Sequence, residues 1–453
     1  VRARPITVGL LSFLIITIVG FAPTRSVLSS GKDSPAFLFT VAKQYEPLAW
    51  IHGADRFSSD ATIFIQDANG RHPLIPNFAV AADPTVSFDG NRVLFAGKQK
   101  TQDPWQIWEL TLAGGEPRRV TSCVEDCVRP FYLPEDRVVY AKRSDGRFVI
   151  EAADPADRKT IQLAWSSGNS LPTDVLHDGR ILFESTYPLG TTGAPELYTV
   201  YSDGSGVESY RCDHGKARHS GKQVASSDIV FASGSGLGRF TSALSEEVHI
   251  SAPAGEYAGD IAETPSGEWL MAWRNGKAPF QLMWWRPGAA ALRLAVAETN
   301  ANVVQPTLVV GRTVPNRHPL GLHDWPNANL LCLNAYTSKY RFAAGSISSV
   351  RLYTRDSAGA IRLLGSAPVE RDGSFFVQVP TEQPLQMELL DGSGKTLKRQ
   401  AGWFWMRRGE QRACVGCHAG PQTAPENAVP MVLLKSTTPA DMTGAVRGSA
   451  GGK

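Results

Sequence analysis

The sequence predicts an all-β chain: a ring of small antiparallel sheets, a smaller β domain, and a short C-terminal segment with its own chemistry. Three observations predict it. Short apolar strands recur with an acidic or Gly-containing turn at Asp89-Gly90, Glu135-Asp136, Asp178-Gly179, Ser227-Asp228 and Ser266-Gly267, spaced 46, 43, 49 and 39 residues apart. Gly 42 and Pro 30 are spread along the whole chain, as many short strands joined by turns require. Hydrophobic residues make up 42%, enough for a packed core across two or three domains.

The chain opens with Arg2 and Arg4, followed by the charge-free apolar run "ITVGLLSFLIITIVGFA". A basic start before an apolar stretch reads as an export signal. Residues 1–23 are therefore expected to be a cleaved signal peptide or a retained membrane anchor, with residues 6–22 the membrane-facing part. The remainder is expected in the periplasm, soluble or tethered to the inner membrane. Residues 24–44 read as a linker.

From 45 to 312 the repeat dominates. Its copies include "DPTVSFDGNRVLFAGK" with "QIWELTLAGGEPRRVT", "VRPFYLPEDRVVYAKR" with "FVIEAADPADRKTIQLA", and "LPTDVLHDGRILFEST" with "ELYTVYSDGSGVESY". Units of this length with about four strands each are the mark of propeller blades, which must stack into a ring to bury their faces. Six or seven blades fit. The segment 45–81 supplies a first blade, and 297–312 supplies part of the closing one. A β-sandwich with similar hairpins is the competing reading.

Residues 313–400 combine a Pro, Asn and His-rich linker to about 330 with a small β domain. There "ISSVRLYTRD", "IRLLGSAPV", "GSFFVQVP" and "LQMELLDGSG" run apolar at strand length between turn residues, which suits an antiparallel sandwich. Residues 436–453 are rich in Thr, Pro, Gly and Ser and read as a disordered tail.

Residues 401–435 carry Cys414-Val-Gly-Cys417-His418. C-x-x-C-H is the attachment signature of c-type haem. Two thiols on one short turn add to the two vinyl groups of a porphyrin, and the adjacent histidine reaches the iron. Composition alone would produce about 0.001 such motifs in this chain, so chance is a weak rival. A thiol-redox pair would sit on a helix after a βαβ pattern, and a zinc site would need further ligands. The motif predicts one covalent haem c on Cys414 and Cys417, with His418 on the iron.

The sixth ligand is open among Met431, Met442, His52, His318 and His323. Trp403, Phe404 and Trp405 either wall the haem or pack as core. Cys123 and Cys127, four apart in a loop, read as a local disulfide. Cys212, near His214 and His219, and Cys332 either pair with each other, stay as buried thiols or bind metal. With a net charge of +3 and no basic stripe, nucleic acid is not an expected partner.

The C-terminal part resembles the hydrazine synthase alpha-subunit-like family. The resemblance rests on "GSAPVERDGSFFVQVPTEQPLQMELLDGSGKTLKRQ" and "RRGEQRACVGCHAGPQTAPEN", strongest over 365–430. The blades, with "HDGRILFEST" and "GKQVASSDIVFASG", resemble the TolB-type propeller that precedes this part in the family. The resemblance implies a periplasmic propeller, a middle β domain and haem at Cys414 and Cys417. It also implies a second role for His418: in hydrazine-forming members the motif histidine binds zinc with two distant cysteines, whose counterparts here are Cys212 and Cys332. A tyrosine four residues on then takes the iron. This chain has Gln422 there, which returns His418 to the haem. With one C-x-x-C-H and no such tyrosine, hydrazine synthesis itself is not expected.

Two functions follow. One is a mono-haem protein that passes electrons to other periplasmic cytochromes or redox proteins, or acts on a small molecule at an open iron. The other is a propeller binding or scaffold protein in which the haem is a sensor or structural element. No catalytic residue is assigned.

Overall fold

The strand-turn repeat builds six four- or five-stranded blades in the computed structural model, which describes residues 29–30, 34–155, 159–166, 168–186, 193–211, 215–234, 236–243, 245–316, 322–338, 340–356, 359–416 and 427–444. Blade 2 shows the plan: Val80–Val86 at the axis, then Arg92–Lys98, Gln106–Thr111 and Arg118–Arg119, each antiparallel to the last. Blades 3 to 6 begin on the axis with Cys127–Tyr132, Ser170–Val175, His219–Gln223 and Glu256–Tyr257. Val80–Val86, Cys127–Tyr132 and Ser170–Val175 are buried along their whole length. That is why they read as continuous apolar or Pro-containing runs rather than as alternating strands.

The ring closes in blade 1. Asn302–Leu308 forms its axial strand and pairs with Phe37–Ala42, which leads to Thr62–Asp67 and Gly70–Pro73. Asn302 locks the seam: its Nδ2 donates to the carbonyls of Ala42 and Lys43, and its Oδ1 accepts from Phe280 N–H. The propeller therefore starts at Phe37, inside the stretch expected to be a linker. The six residues "FLFTVA" are strand, with five of them buried, and lie outside the turn period that marks the other blades.

Most axial strands bulge at one place. Gln305, Asp83, Arg129, Ser220 and Asp260 have φ between 52° and 57°. In the first four the ladder skips this residue and the next, so Pro306, Pro84 and Pro130 fall where no N–H is needed. Blade 4 has Pro172 near this position and a one-residue shift at Thr173.

The small domain is a two-sheet sandwich. One sheet is Ile361–Pro368, Ser349–Arg355, Leu385–Leu390 and Thr396–Arg399, antiparallel throughout. The other is mixed, in the order Gln411–Cys414, Ala328–Cys332, Phe375–Val379, Ala440–Asp441. Its two edge strands run parallel to their neighbours. This corrects the purely antiparallel expectation. It also corrects the reading of 436–453 as wholly disordered, because Ala440–Asp441 extends the sheet and Met442 is buried against Gly365.

Sandwich and propeller share one core. Trp405 packs on Trp165 and Phe183 with ring centroids 6.2 Å away in both cases. The same apolar cluster runs from Val175 and Tyr198 to Val350 and Val377. Among the described residues no helix is long and apolar enough to cross a membrane.

Candidate functional site

The approach to Cys414 is built by "GEQR". Gly409 has φ +68°, and a Cβ there would lie 1.7 Å from the His323 carbonyl oxygen, so only glycine fits. Glu410 is buried. Its Oε2 accepts from Arg407 N–H at 2.8 Å. Its Oε1 accepts from Arg412 Nε at 2.9 Å, Arg412 Nη2 at 2.6 Å, and Gly206 N–H of blade 4 at 3.2 Å. Arg412 also donates to the Trp405 carbonyl at 3.1 Å. One carboxylate thus pins the strand start to the propeller. The sequence alone assigns these residues no role. The signal that could have found them is the charged pair two apart beside a glycine.

Gln411–Cys414 then runs beside Ala328–Cys332, with Cys414 in register with Cys332. Register partners share a sheet face, and adjacent strands lie about 4.8 Å apart. Cys332 is buried in the shared core and Cys414 packs half-buried against it. Leu333 N–H donates to the Cys414 carbonyl at 2.9 Å. Past the strand, Gly416 slots against the 334–337 turn, where a Cβ would meet the Thr337 carbonyl oxygen at 2.1 Å and that of Asn334 at 2.8 Å.

Cys417, His418 and Gln422 lie outside the described residues, as do Cys212, His214 and His318. The structure thus brings together Cys332 and Cys414 from the predicted set. Among the described residues no three His, Cys, Asp or Glu side chains gather as a metal site. Cys123 and Cys127 form a disulfide in blade 2's exit loop.

The distal-ligand candidates separate. Met431 opens a short helix, Met431–Lys435, and its N–H donates to Asp372 Oδ2 at 2.7 Å. Asp372 lies just before Phe375, the register partner of Cys332. Met431 therefore belongs to the same end of the sheet as Cys414. Met442 is sealed in the sandwich core, His52 lies in the propeller beside the Gly193 carbonyl at 3.3 Å, and the His323 ring stacks on Trp325 at 4.7 Å. Trp403, Phe404 and Trp405 are core: Phe404 bridges to Leu385 and Trp405 fills the domain junction.

A second cluster lies on the propeller axis. Asp83 Oδ2 accepts from Arg129 N–H at 2.9 Å, and its Oδ1 accepts from Gln305 Nε2. Arg129 Nη1 reaches both oxygens of Asp260 at 3.0 and 3.1 Å. Ser220 N–H donates to Glu184 at 2.8 Å. Burial pushes the carboxyls of Asp83 and Glu184 up. Burial also opposes the charge on Asp260, but Arg129 and Arg56 hold that carboxyl below its usual range. His219 belongs to this cluster, while its sequence neighbours Cys212 and His214 lie outside the described residues. Its imidazole is buried, with Nδ1 3.2 Å from Ser220 Oγ. In the sequence the recurring "DPT", "RPF" and "QPT" look like lead-ins to turns. They are the bulges that carry this ring.

These features define a class: a six-bladed propeller sharing its core with a small mixed β-sandwich, whose edge strand ends in Cys414 at the start of a C-x-x-C-H. Over residues 336–419 the chain is similar to the family model described as the hydrazine synthase alpha subunit middle domain. Hydrazine synthase subunit alpha of Kuenenia stuttgartiensis is 32% identical over 76 residues, which is 17% of this chain and 9% of that protein's length. The solved structure of Kuenenia stuttgartiensis hydrazine synthase superposes with a TM-score of 0.75 at 17% identity, covering 88% of this chain and 71% of that one. TolB from Acinetobacter baumannii aligns at 14% identity over 61% of this chain and 67% of its own, with a TM-score of 0.47.

Proposed function

We propose that this chain is an exported mono-haem c-type protein, with haem attached through Cys414 and Cys417 and His418 as axial ligand, that carries out electron transfer or small-molecule redox work. The observation that carries the reading is the placement of Cys414. Its half-buried thiol closes an edge strand and faces the sandwich core, and the chain then leaves the sheet through the Gly416 slot. Cys414 would hold the haem at the margin of the apolar cluster that the sandwich shares with the propeller. Bound haem supplies a one-electron iron couple.

The chain's own residues hold the attachment point. Glu410 and Arg412 fix the strand to blade 4, and Gly416 lets the backbone pass under the 334–337 turn. Of the candidate further ligands, Met431 is the one at the same sheet end as Cys414, and its thioether would be the group offered to a bound iron. The proposed partners are other periplasmic cytochromes or redox proteins. The segment 6–22 is the proposed inner-membrane tether or cleaved signal.

The test is a reduced pyridine haemochrome spectrum of protein purified from cells able to mature c-type cytochromes. A thioether-linked spectrum at one haem per chain is expected, and none would sink the reading. A low-spin ferric spectrum indifferent to small ligands assigns electron transfer. A high-spin spectrum that responds to them assigns chemistry at the iron.

A second reading has its own observation. The buried Cys332 beside Cys414 favours zinc shared among His418, Cys332 and Cys212. Equal zinc in wild type and Cys332→Ser would remove it. The binding or scaffold reading is favoured by the propeller's axial cavity.

A further inference from the structure

At one mouth of the propeller channel the axial strands surround a cavity of about 780 Å³, within the range of small-molecule sites. It is lined by side chains of all six blades and by the segment that leaves blade 1. Residues 309–316 run across this mouth. Arg312 N–H donates to the Phe88 carbonyl at 2.8 Å, and its guanidinium covers the Phe88 ring at 4.6 Å. The segment then reaches blade 4, where a Cβ on Gly179 would strike the Asn316 carbonyl oxygen at 2.1 Å. Thr313 and Pro315 roof part of the cavity.

The polar wall carries donors whose hydrogen bonds are not all made. Four acids line it, and each is already served: Glu263 accepts from Ala225 N–H at 2.6 Å and from Trp269 Nε1 at 3.3 Å. Asp83 accepts from Arg129 N–H and Gln305, and Asp260 from Arg129 Nη1. Asp174 accepts from Lys222 Nζ at 3.2 Å and Gln223 N–H at 2.9 Å. The donors are not exhausted. The Arg129 side chain is 4% exposed, and its Nη2 is buried without an acceptor among the described residues. Lys222 spends one bond on Asp174 and keeps two protons. The Phe131 ring stands between these cations, 5.8 Å from the Arg129 guanidinium and 5.1 Å from Lys222 Nζ. Phe88, Val175, Ile261 and Leu308 complete an apolar wall.

A buried guanidinium with an unused N–H pair calls for an acceptor, and the ammonium beside it calls for negative charge. An apolar wall calls for a carbon body. We infer that the propeller channel mouth is a binding site for a small organic carboxylate, whose oxygens take Arg129 Nη2 and Lys222 Nζ while its apolar body lies along Phe131 and Phe88. None of the residues that line the cavity belongs to the described part of the C-x-x-C-H segment, and the reading does not depend on haem.

Calorimetric titration of the purified full chain with benzoate and with hexanoate tests it, with benzamide and hexanamide as neutral isosteres and sulfate as a bare anion. At least one acid is expected to bind saturably at one site per chain, at least about tenfold tighter than its amide. Lys222→Gln is expected to weaken it by about tenfold or more, since Lys222 is part-exposed and Asp174 keeps Gln223 N–H. The double variant Arg129→Gln/Asp260→Asn removes the buried pair together and is expected to abolish binding. If it does not fold, Lys222→Gln decides alone. Saturable binding of neither acid, equal binding of acid and amide, sulfate competing as well as the acids, or unchanged affinity in Lys222→Gln would each overturn the assignment.

Discussion

Cys332 and Cys414 hold the same register position on adjacent parallel strands of the sandwich, one buried and one half-buried against the same core. They are 82 residues apart in the chain, and only folding brings a thiol outside the motif beside its first cysteine. The two thiols are expected to behave differently. Cys414→Ser, expressed with c-type maturation, should leave haem held by Cys417 alone, with the pyridine haemochrome band moved to the singly linked position. Cys332→Ser should keep the doubly linked band, and only a fall in bound zinc in that variant would turn the assignment of His418 to the second reading. A singly linked spectrum in Cys332→Ser would show that the assignments are reversed.

Glu410 accepts four hydrogen bonds from three residues, one of them in the propeller. Removing one partner of a buried charged network strands the others in low dielectric. Glu410→Ala should destabilise the chain by about 3–5 kcal/mol, read from urea midpoints. Glu410→Gln keeps the shape and loses the charge, and should cost about 1–3 kcal/mol. If Glu410→Ala shifts the midpoint no more than an exposed substitution does, the network is not holding the strand.

Legibility follows the length of the signal. The turn period exposes the blades because each repeats a Gly or acidic turn between apolar strands. The closing role of 297–312 is legible because "NVVQPTLVV" is a strand without a partner of its own. Phe37–Ala42, Gln411–Cys414 and Ala440–Asp441 give no such signal. The first stands outside the turn period, and "QRAC" and "AD" are too short and polar to show a period. At the site, the cysteines of the motif are legible from spacing. The Cys332 neighbour and the Glu410 clamp are not, because register and burial are three-dimensional facts. The axial ring is written plainly as "DPT", "RPF" and "QPT", but proline before a turn and proline in a bulge look alike in one dimension.

Three glycines separate backbone strain from crowding. Gly267 has φ +77°, and no other atom lies within 4 Å of where a Cβ would stand, so Gly267→Ala should cost about 1–2 kcal/mol, from the left-handed backbone alone. Gly409 adds overlap with the His323 carbonyl, and Gly409→Ala should cost about 3 kcal/mol or more. Gly416 meets two carbonyls at the motif itself. Gly416→Ala should lower the haem-to-protein ratio, while Gly267→Ala leaves it at the wild-type value. Equal ratios in both would show that the slot does not position Cys414.

His219 gives the pH dependence its sign. Burial, helped by the nearby Arg56 and Arg129 charges and opposed by Asp260, pushes the imidazole down to about 4. In the unfolded chain it titrates near 6.5, so between these values the unfolded state binds the extra proton. The stabilising contribution is complete above about pH 6.5 and is lost as pH falls toward 4. It is worth about 3 kcal/mol in all. Asp83 and Glu184, raised by burial, work in the opposite direction, because the folded state holds their protons more tightly. A single wild-type profile would mix the two effects, and the difference between wild type and His219→Gln isolates the imidazole. Urea midpoints at pH 7.5, 6.0 and 5.0 should show wild type losing ground to His219→Gln as the pH drops. Parallel profiles would mean that the imidazole takes up its proton inside the fold, against its burial and the Arg56 and Arg129 charges.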